Sequence, residues 1–446
     1  MPATRSSFKR WIAFLVLAAI AATAYRFWPV EQPVTNEAVR RPVIALLVLE
    51  NLNKQPELDF LSNALSRETT AKVGQLFSGN LDVIAYRSVA VYRDTRKSLH
   101  QIGRELQVDY ILRGGIRKDS QRVHITTELI RVSDESRLWT TDYDSVLEDV
   151  SDAQNEIIDK LATTLGTKVN PSDREALNRA GTSDAEAREA FLHGVDQIES
   201  QDDAEVKKAI VSFGKAVKAD PSYSRAYAAL AEAELRQKGQ YEIAEQYAHR
   251  ALELTTAIPQ AHVVMGEILL KHRNDPEGAE KELKTAVALN ENDAEAQLRY
   301  AEFLLLTRRL DDAQLQIQRA RRLDPFSVEP NLMFGRILTE AKLYDQAVEQ
   351  LGQTVSLDRN SAEIRFYLGQ AYLARAMNDD AIREFQRAVS FGPDTPQYIA
   401  ALGEAYAAAR RFDEARMQLQ ALKELARKRP VPPALIESLS KRVTPS

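Results

Sequence analysis

The 446-residue chain contains no cysteine, which excludes disulfides, thiolate metal sites, thiol nucleophiles and lipid attachment at an N-terminal cysteine. Its six histidines (His100, His124, His193, His249, His262 and His272) are scattered. None forms the i,i+4 pair that sets two imidazoles on one helical face. Gly114-Gly115 is the only diglycine. It has no GxGxxG or GxxxxGK[ST] context, so a turn or bulge is expected there and a phosphate cradle is not. Asp142 and Asp144 form a carboxylate pair at i,i+2, but no nucleophile or third ligand lies near them in sequence, as acid–base work or cation binding would need. No catalytic residue, cofactor site or metal site is assigned, and a non-enzymatic role is expected.

Positive charge is scarce outside the N-terminus. Residues 1–41 hold six basic side chains (Arg5, Lys9, Arg10, Arg26, Arg40, Arg41) and two acidic ones (Glu31, Glu37), a net +4. The whole chain carries −5, which leaves −9 on the body. That body lacks the basic stripe which displaces counterions from a phosphate backbone, so no nucleic-acid partner is expected.

Only one long apolar run is present. Trp11 to Tyr25 follows Arg5, Lys9 and Arg10, and precedes Arg26, Phe27 and Trp28. Its length reaches about 22 Å as a helix. Crossing a bilayer core takes about 20 residues, so residues 25–28 complete the span, with Arg26 snorkelling. A single N-terminal transmembrane helix is expected: a cytoplasmic stub over 1–10, a signal anchor over 11–28 and a spacer over 29–41. The basic flank keeps the N-terminus inside and exports the rest. Ala22-Thr23-Ala24 offers an alternative, a signal peptide cleaved near Ala24. Both readings place the body outside the cytoplasm.

The C-terminal half is periodic. Alanines recur at Ala209, Ala244, Ala279, Ala313, Ala347, Ala381 and Ala415, 34 or 35 residues apart. A second small row, Ala231, Gly266, Ala301, Gly335, Gly369 and Gly403, keeps phase with it, as does Ala216, Ala251, Ala286, Ala320, Thr354, Ala388 and Leu422. Close helix crossings require such small side chains, and larger ones (Phe213, Leu283, Ile317, Leu351, Phe385, Leu419) sit between the rows. This pattern resembles the tetratricopeptide repeat family. It predicts an all-α solenoid of about seven units over 184–428, after a linker at 171–183 and before a cap or tail at 429–446.

The resemblance implies a concave face lined by the first helix of each unit. Carried onto this sequence, it nominates Glu232, Val263, Glu267, Leu298, Glu302, Leu332, Arg336, Phe366 and Gln370 as a partner-binding groove. Apolar tracks beside carboxylates suit a basic or amphipathic segment of a protein or peptide partner. Solvated helix faces are also commonly acidic, so the acidic row is consistent with plain surface, and the apolar rows with inter-repeat packing as well as contact.

Residues 42–170 read as βαβαβββα, an α+β unit. The strings Ile44-Ala-Leu-Leu-Val-Leu-Glu-Asn-Leu52, Tyr110-Ile-Leu-Arg-Gly-Gly115 and Leu138-Trp-Thr-Thr-Asp-Tyr-Asp144 resemble the amino-terminal domain of TolB and the related FlgO-type module. That resemblance implies a bacterial protein and brings no catalytic residues. The expected protein is a single-pass inner-membrane scaffold with its bulk in the periplasm. The alternative is a regulatory or sensory component acting through a partner effector.

Overall fold

The computed structural model describes residues 40–119, 122–146, 150–199, 202–237 and 239–443. The anchor expected over residues 11–28, with its stub and nearly all of the spacer, lies outside them. Among the described residues no helix is long and apolar enough to cross a membrane.

Residues 42–179 build a mixed sheet with helices on it. The strands are β1 (Val43–Leu46), β2 (Glu50–Asn51), β3 (Asp82–Val83), β4 (Tyr110–Asp119), β5 (Arg122–Arg131) and β6 (Arg137–Val146). The helices are α1 (Pro56–Leu76), α2 (Tyr86–Ala90), α3 (Leu99–Leu106), α4 (Val150–Leu165) and α5 (Pro171–Arg179). The sheet order is β3-β1-β4-β5-β6, with β2 pairing onto β4. β1 is parallel to both neighbours and fully buried, as its apolar run requires. The β4-β5-β6 meander is antiparallel. Val73, Phe77, Ile158 and Leu161 of the α1 and α4 regions pack with Ile44, Leu112 and Leu129, while Ile102 and Leu106 of α3 pack with Val43, Ala45 and Ile111. Farther along β5, Val123, Ile125 and Thr127 are buried while His124, Thr126 and Glu128 stay partly exposed. This is the one-wet-face alternation expected of an antiparallel sheet.

Three details differ from the sequence reading. Gly114 and Gly115 form neither turn nor bulge; they lie inside β4, paired with Thr127 and Thr126. A Cβ on Gly114 would meet the Thr126 carbonyl oxygen at 2.2 Å, and one on Gly115 would meet Leu52 at 2.9 Å. Glycine is needed at 114, where the neighbouring strand's backbone approaches closely, whereas at 115 only the exposed Leu52 side chain would have to shift. The expected linker contains helix α5, capped by the Asn170 side chain and anchored by buried Leu177. The second helix of the βαβα pattern is preceded by an additional short helix, α2, whose Ser88 and Val89 are buried.

The rest is helical hairpins. The first four are α6 (Ala185–Gln197) with α7 (Asp203–Ala219), α8 (Ser224–Arg236) with α9 (Tyr241–Leu254), α10 (Pro259–Lys271) with α11 (Pro276–Leu289), and α12 (Ala294–Leu306) with α13 (Leu310–Leu323). Then come α14 (Val328–Glu340) with α15 (Tyr344–Thr354), α16 (Ala362–Ala374) with α17 (Asn378–Phe391), and α18 (Pro396–Ala408) with α19 (Phe412–Lys428). All seven alanines of the first small row have no exposed surface. The small residues admit large ones: a Cβ on Gly266 would meet Leu283 at 2.6 Å, and one on Gly369 would meet Phe385 at 2.7 Å. Thr354 takes an alanine's place by turning its hydroxyl back to the Gln350 carbonyl at 2.8 Å. Helix α20 (Pro433–Val443) closes the stack, burying Leu439 against Gly403, as a terminal cap should.

Candidate partner-binding groove

The nominated residues divide into three groups. Val263, Leu298 and Leu332 are 6%, 1% and 6% exposed and pack between helices. They hold neighbouring units together and offer almost no surface, so of the two roles open to the apolar rows these three serve inter-repeat packing. The physical reason is close crossing: each lies in a cluster with the alanines of adjacent helices or with the next unit's first helix.

Glu232, Glu267 and Glu302 form the second group. They line one row, but each is already paired. Arg236 reaches Glu232 at 2.6 Å, and Gln260 donates to its other oxygen. Lys271 bridges Glu267 at 3.0 Å and Glu302 at 3.2 Å. Arg299 contacts Glu267 at 3.1 Å, Glu295 at 2.7 Å and Glu302 at 3.1 Å. Burial works against the Arg299 charge, yet the surrounding carboxylates hold its pKa well above the ordinary value. Burial likewise raises Glu232, but Arg236, Arg67 and Gln260 outweigh it and hold the carboxyl at about 2. The basic members of this ladder were missed. The signal for two of them was present, since Arg236 and Lys271 follow Glu232 and Glu267 at i+4, the spacing of a helical ion pair.

The third group, Arg336, Phe366 and Gln370, lies farther along the array. Arg336 stacks over the Tyr367 ring at 4.8 Å. Phe366 lies 5.2 Å from Tyr367, 5.1 Å from Tyr398 and 5.9 Å from Phe385. Gln370 is partly buried beside them. The two tyrosines, absent from the sequence-based set, complete this patch.

Arg67 reaches the groove from the α+β domain, which docks along the turns between units. Helix α1 meets α6 through Leu58, Leu61 and Leu65 against Phe191, Leu192 and Val195, and Phe60 stacks on His193 at 4.1 Å. Glu68, 5% exposed, takes Arg225 at 2.8 Å and Lys72 at 3.2 Å. Burial pushes the Glu68 carboxyl up, but Lys72 and Arg225 prevail and hold it at about 2. Asn292, in the turn before α12, donates to the carbonyls of Gly74 and Leu81 at 3.0 and 2.8 Å and accepts from the Val83 amide at 3.3 Å. Asp82 of β3, 1% exposed, pairs with Arg319 at 2.7 Å and Arg322 at 3.1 Å. Ser88 of α2 donates to Asp324 at 2.5 Å and accepts from the Phe326 amide at 2.9 Å. Arg87 of the same short helix pairs with Glu199 at 3.4 Å and approaches Glu329 at 4.0 Å, while Arg67 also pairs with Glu199.

Residues 270–329 and 338–402 match the tetratricopeptide repeat family model. The matched stretches, running from the end of α10 into α18, are tetratricopeptide repeats. A curated relative, "Putative adenylate cyclase 3" of Rhizobium meliloti (strain 1021), is 25% identical over 190 residues, 43% of this chain and 32% of that protein. The chain thus spans only about a third of the length of the relative it matches. Among solved structures, MamA from Desulfovibrio magneticus RS-1 aligns over 39% of this chain and 97% of its own, at 22% identity and a TM-score of 0.35. PilF of Pseudomonas aeruginosa aligns over 50% and 98%, at 19% identity and a TM-score of 0.42.

Proposed function

We propose that this chain is a membrane-anchored, extracytoplasmic scaffold that holds basic or amphipathic segments of partner proteins on its tetratricopeptide array. The observation that carries the reading is the stack of seven hairpins, which presents one continuous row of first helices. Supporting the location are the apolar run Trp11 to Tyr25 and the basic residues before it, a pattern that anchors a chain and exports the residues C-terminal to the anchor. Supporting the partner chemistry is the −9 carried by the body. The α+β domain, read as a TolB amino-terminal or FlgO-like module, acts here as a second, rigidly docked element of the scaffold.

Alkaline phosphatase fused after Ser446 tests the location. Active phosphatase in the membrane fraction is the expected result, and a full-length fusion without phosphatase activity would overturn the export. Selection of a displayed library of random twelve-residue peptides on the full chain tests the scaffold reading. Peptides retained by the wild-type array are expected; none retained at micromolar protein would count against it.

A further inference from the structure

The α+β domain meets the array at regular intervals. Between Glu68 and Ser88 the chain passes the turns that join units one and two, two and three, three and four, and four and five. Arg225, just after the first of these turns, donates to Glu68 at 2.8 Å. Gln75 donates to the Ala257 carbonyl in the second at 3.2 Å. At the third, Asn292 binds the carbonyls of Gly74 and Leu81 and the Val83 amide, and the Glu291 amide donates to the Ser78 hydroxyl at 3.0 Å. At the fourth, the Ala85 amide donates to the Leu323 carbonyl at 2.8 Å, and Ser88 holds both Asp324 and the Phe326 amide. The approach is close, since a Cβ on Gly74 would lie 3.3 Å from the Asn292 side chain.

This spacing has a physical basis. Helix α1 runs unbroken from Pro56 to Leu76, and its stretch from Glu68 to Gln75 rises about 10 Å along the axis. Packed helices lie about 8–10 Å apart, and α8 and α10, which follow the first two turns, are packed neighbours. Apolar contacts of α1 with α6 fix the near end of the seam, and the pairing of Asp82 with Arg319 and Arg322 fixes the far end. Each of the four turns is shielded: Tyr223, Ile258, Asn292 and Asp324 are all buried. The next two turns differ. Asp358, Arg359 and Asn360, between α15 and α16, are exposed, as are Pro393 and Asp394 between α17 and α18. Their polar groups bond within the array. The Asn360 amide donates to Asp358 at 3.0 Å, Arg365 to the Arg359 carbonyl at 3.2 Å, and Arg429 to the Asp394 carbonyl at 2.8 Å.

A solenoid curves through a small rotation at each joint between neighbouring units. One rigid body bound to consecutive turns removes that freedom from the joints it bridges. We infer that the segment from Glu68 to Ser88 is a built-in template that fixes the curvature of units one to five, so that the array opens or closes its concave face only at the joints beyond α15. Unit five is held at its entry turn by Ser88, with Arg87 near Glu329 of α14. One end of the array is thereby a preset platform, and units six and seven adjust their pitch against it.

Spin labels test this directly, because the chain has no cysteine of its own. Val211, Leu315 and Met417 are exposed, and each stands two residues after an alanine of the first small row, in units one, four and seven. The pairs Val211→Cys/Leu315→Cys and Leu315→Cys/Met417→Cys therefore span equal numbers of joints. All joints of the first pair are bridged by the template, whereas the second pair crosses both unbridged ones. Electron–electron distance measurements on the full chain should give a narrow distribution for the first pair and a broader one for the second. Adding Gln75→Ala and Asn292→Ala should broaden the first distribution to the width of the second and leave the second as it was. A cooperative thermal melt of that variant distinguishes release of the template from unfolding. Equal widths for the two pairs before the seam is altered would overturn the inference without any seam variant. So would a first distribution that stays narrow in the folded variant.

Discussion

Two stretches of the same helix row meet different neighbours. From α8 to α12 the carboxylates are tied into a ladder with Arg236, Lys271 and Arg299, and the α+β domain lies against the adjoining turns. From α14 to α18 the groove rows carry Arg336, Phe366, Gln370 and Glu363, and partly buried aromatic rings pack on one another and under Arg336 beside the exposed Glu363. Equivalent positions in a repeat thus do different work. Residues at the domain seam join two domains, and those beyond it pack only within the array among the described residues.

The largest test breaks the open half. Phe385 has no exposed surface and fills the space above Gly369. Phe385→Ala should cost about 3–5 kcal/mol. Because stacked repeats depend mainly on their nearest neighbours, hydrogen exchange should rise first in α16 to α19. Equal loss of protection in α1 and α6 would show instead that the array and the seam unfold as one.

Breaking the seam comes next. Glu68→Gln leaves Lys72 and Arg225 without their counter-charge in a buried place, at a cost of about 3 kcal/mol at pH 7. The pH dependence has a definite sign. The folded carboxyl sits at about 2 against an ordinary 4.5, so its contribution is complete above about pH 4.5 and is lost as pH falls towards 2. Urea melts from about pH 5 to about pH 2 should therefore show a steeper decline for wild type than for Glu68→Gln; parallel curves would contradict the pairing.

A smaller break is Asn292→Ala, which removes one side chain serving Gly74, Leu81 and Val83. Leaving those buried groups unsatisfied should cost about 2 kcal/mol. Exchange should rise at the Val83 amide with little change near Tyr398. The smallest effect belongs to the ladder: Lys271, whose side chain is 36% exposed, should lose under about 1 kcal/mol on change to Met, because solvent screens such pairs. Raising the salt to about 1 M should shrink that difference further.

Much of the architecture was legible in the sequence because helix crossing imposes a local rule. A methyl or a hydrogen must stand wherever two backbones approach, and every alanine of the first row is indeed fully buried. The alternation of strands and helices in the α+β unit was legible for a similar reason, since the three-strand run read before its closing helix is the β4-β5-β6 meander followed by α4. The groove was legible only in part. Val263, Leu298 and Leu332 share an apolar row with Phe366, yet the first three are buried and Phe366 is not. Periodicity identifies a row, but exposure depends on the size of what packs against it.

Residue type at a fixed spacing was enough to establish the repeat, its phase and the acidic sign of the body. Which residues the two domains bring together was settled only by tertiary packing. The contacts of Asp82 with Arg319, of Glu68 with Arg225, and of Asn292 with three backbone groups join residues 157 to 237 positions apart. No local spacing encodes such a meeting; it arises when a sheet edge and a line of turns become complementary in three dimensions.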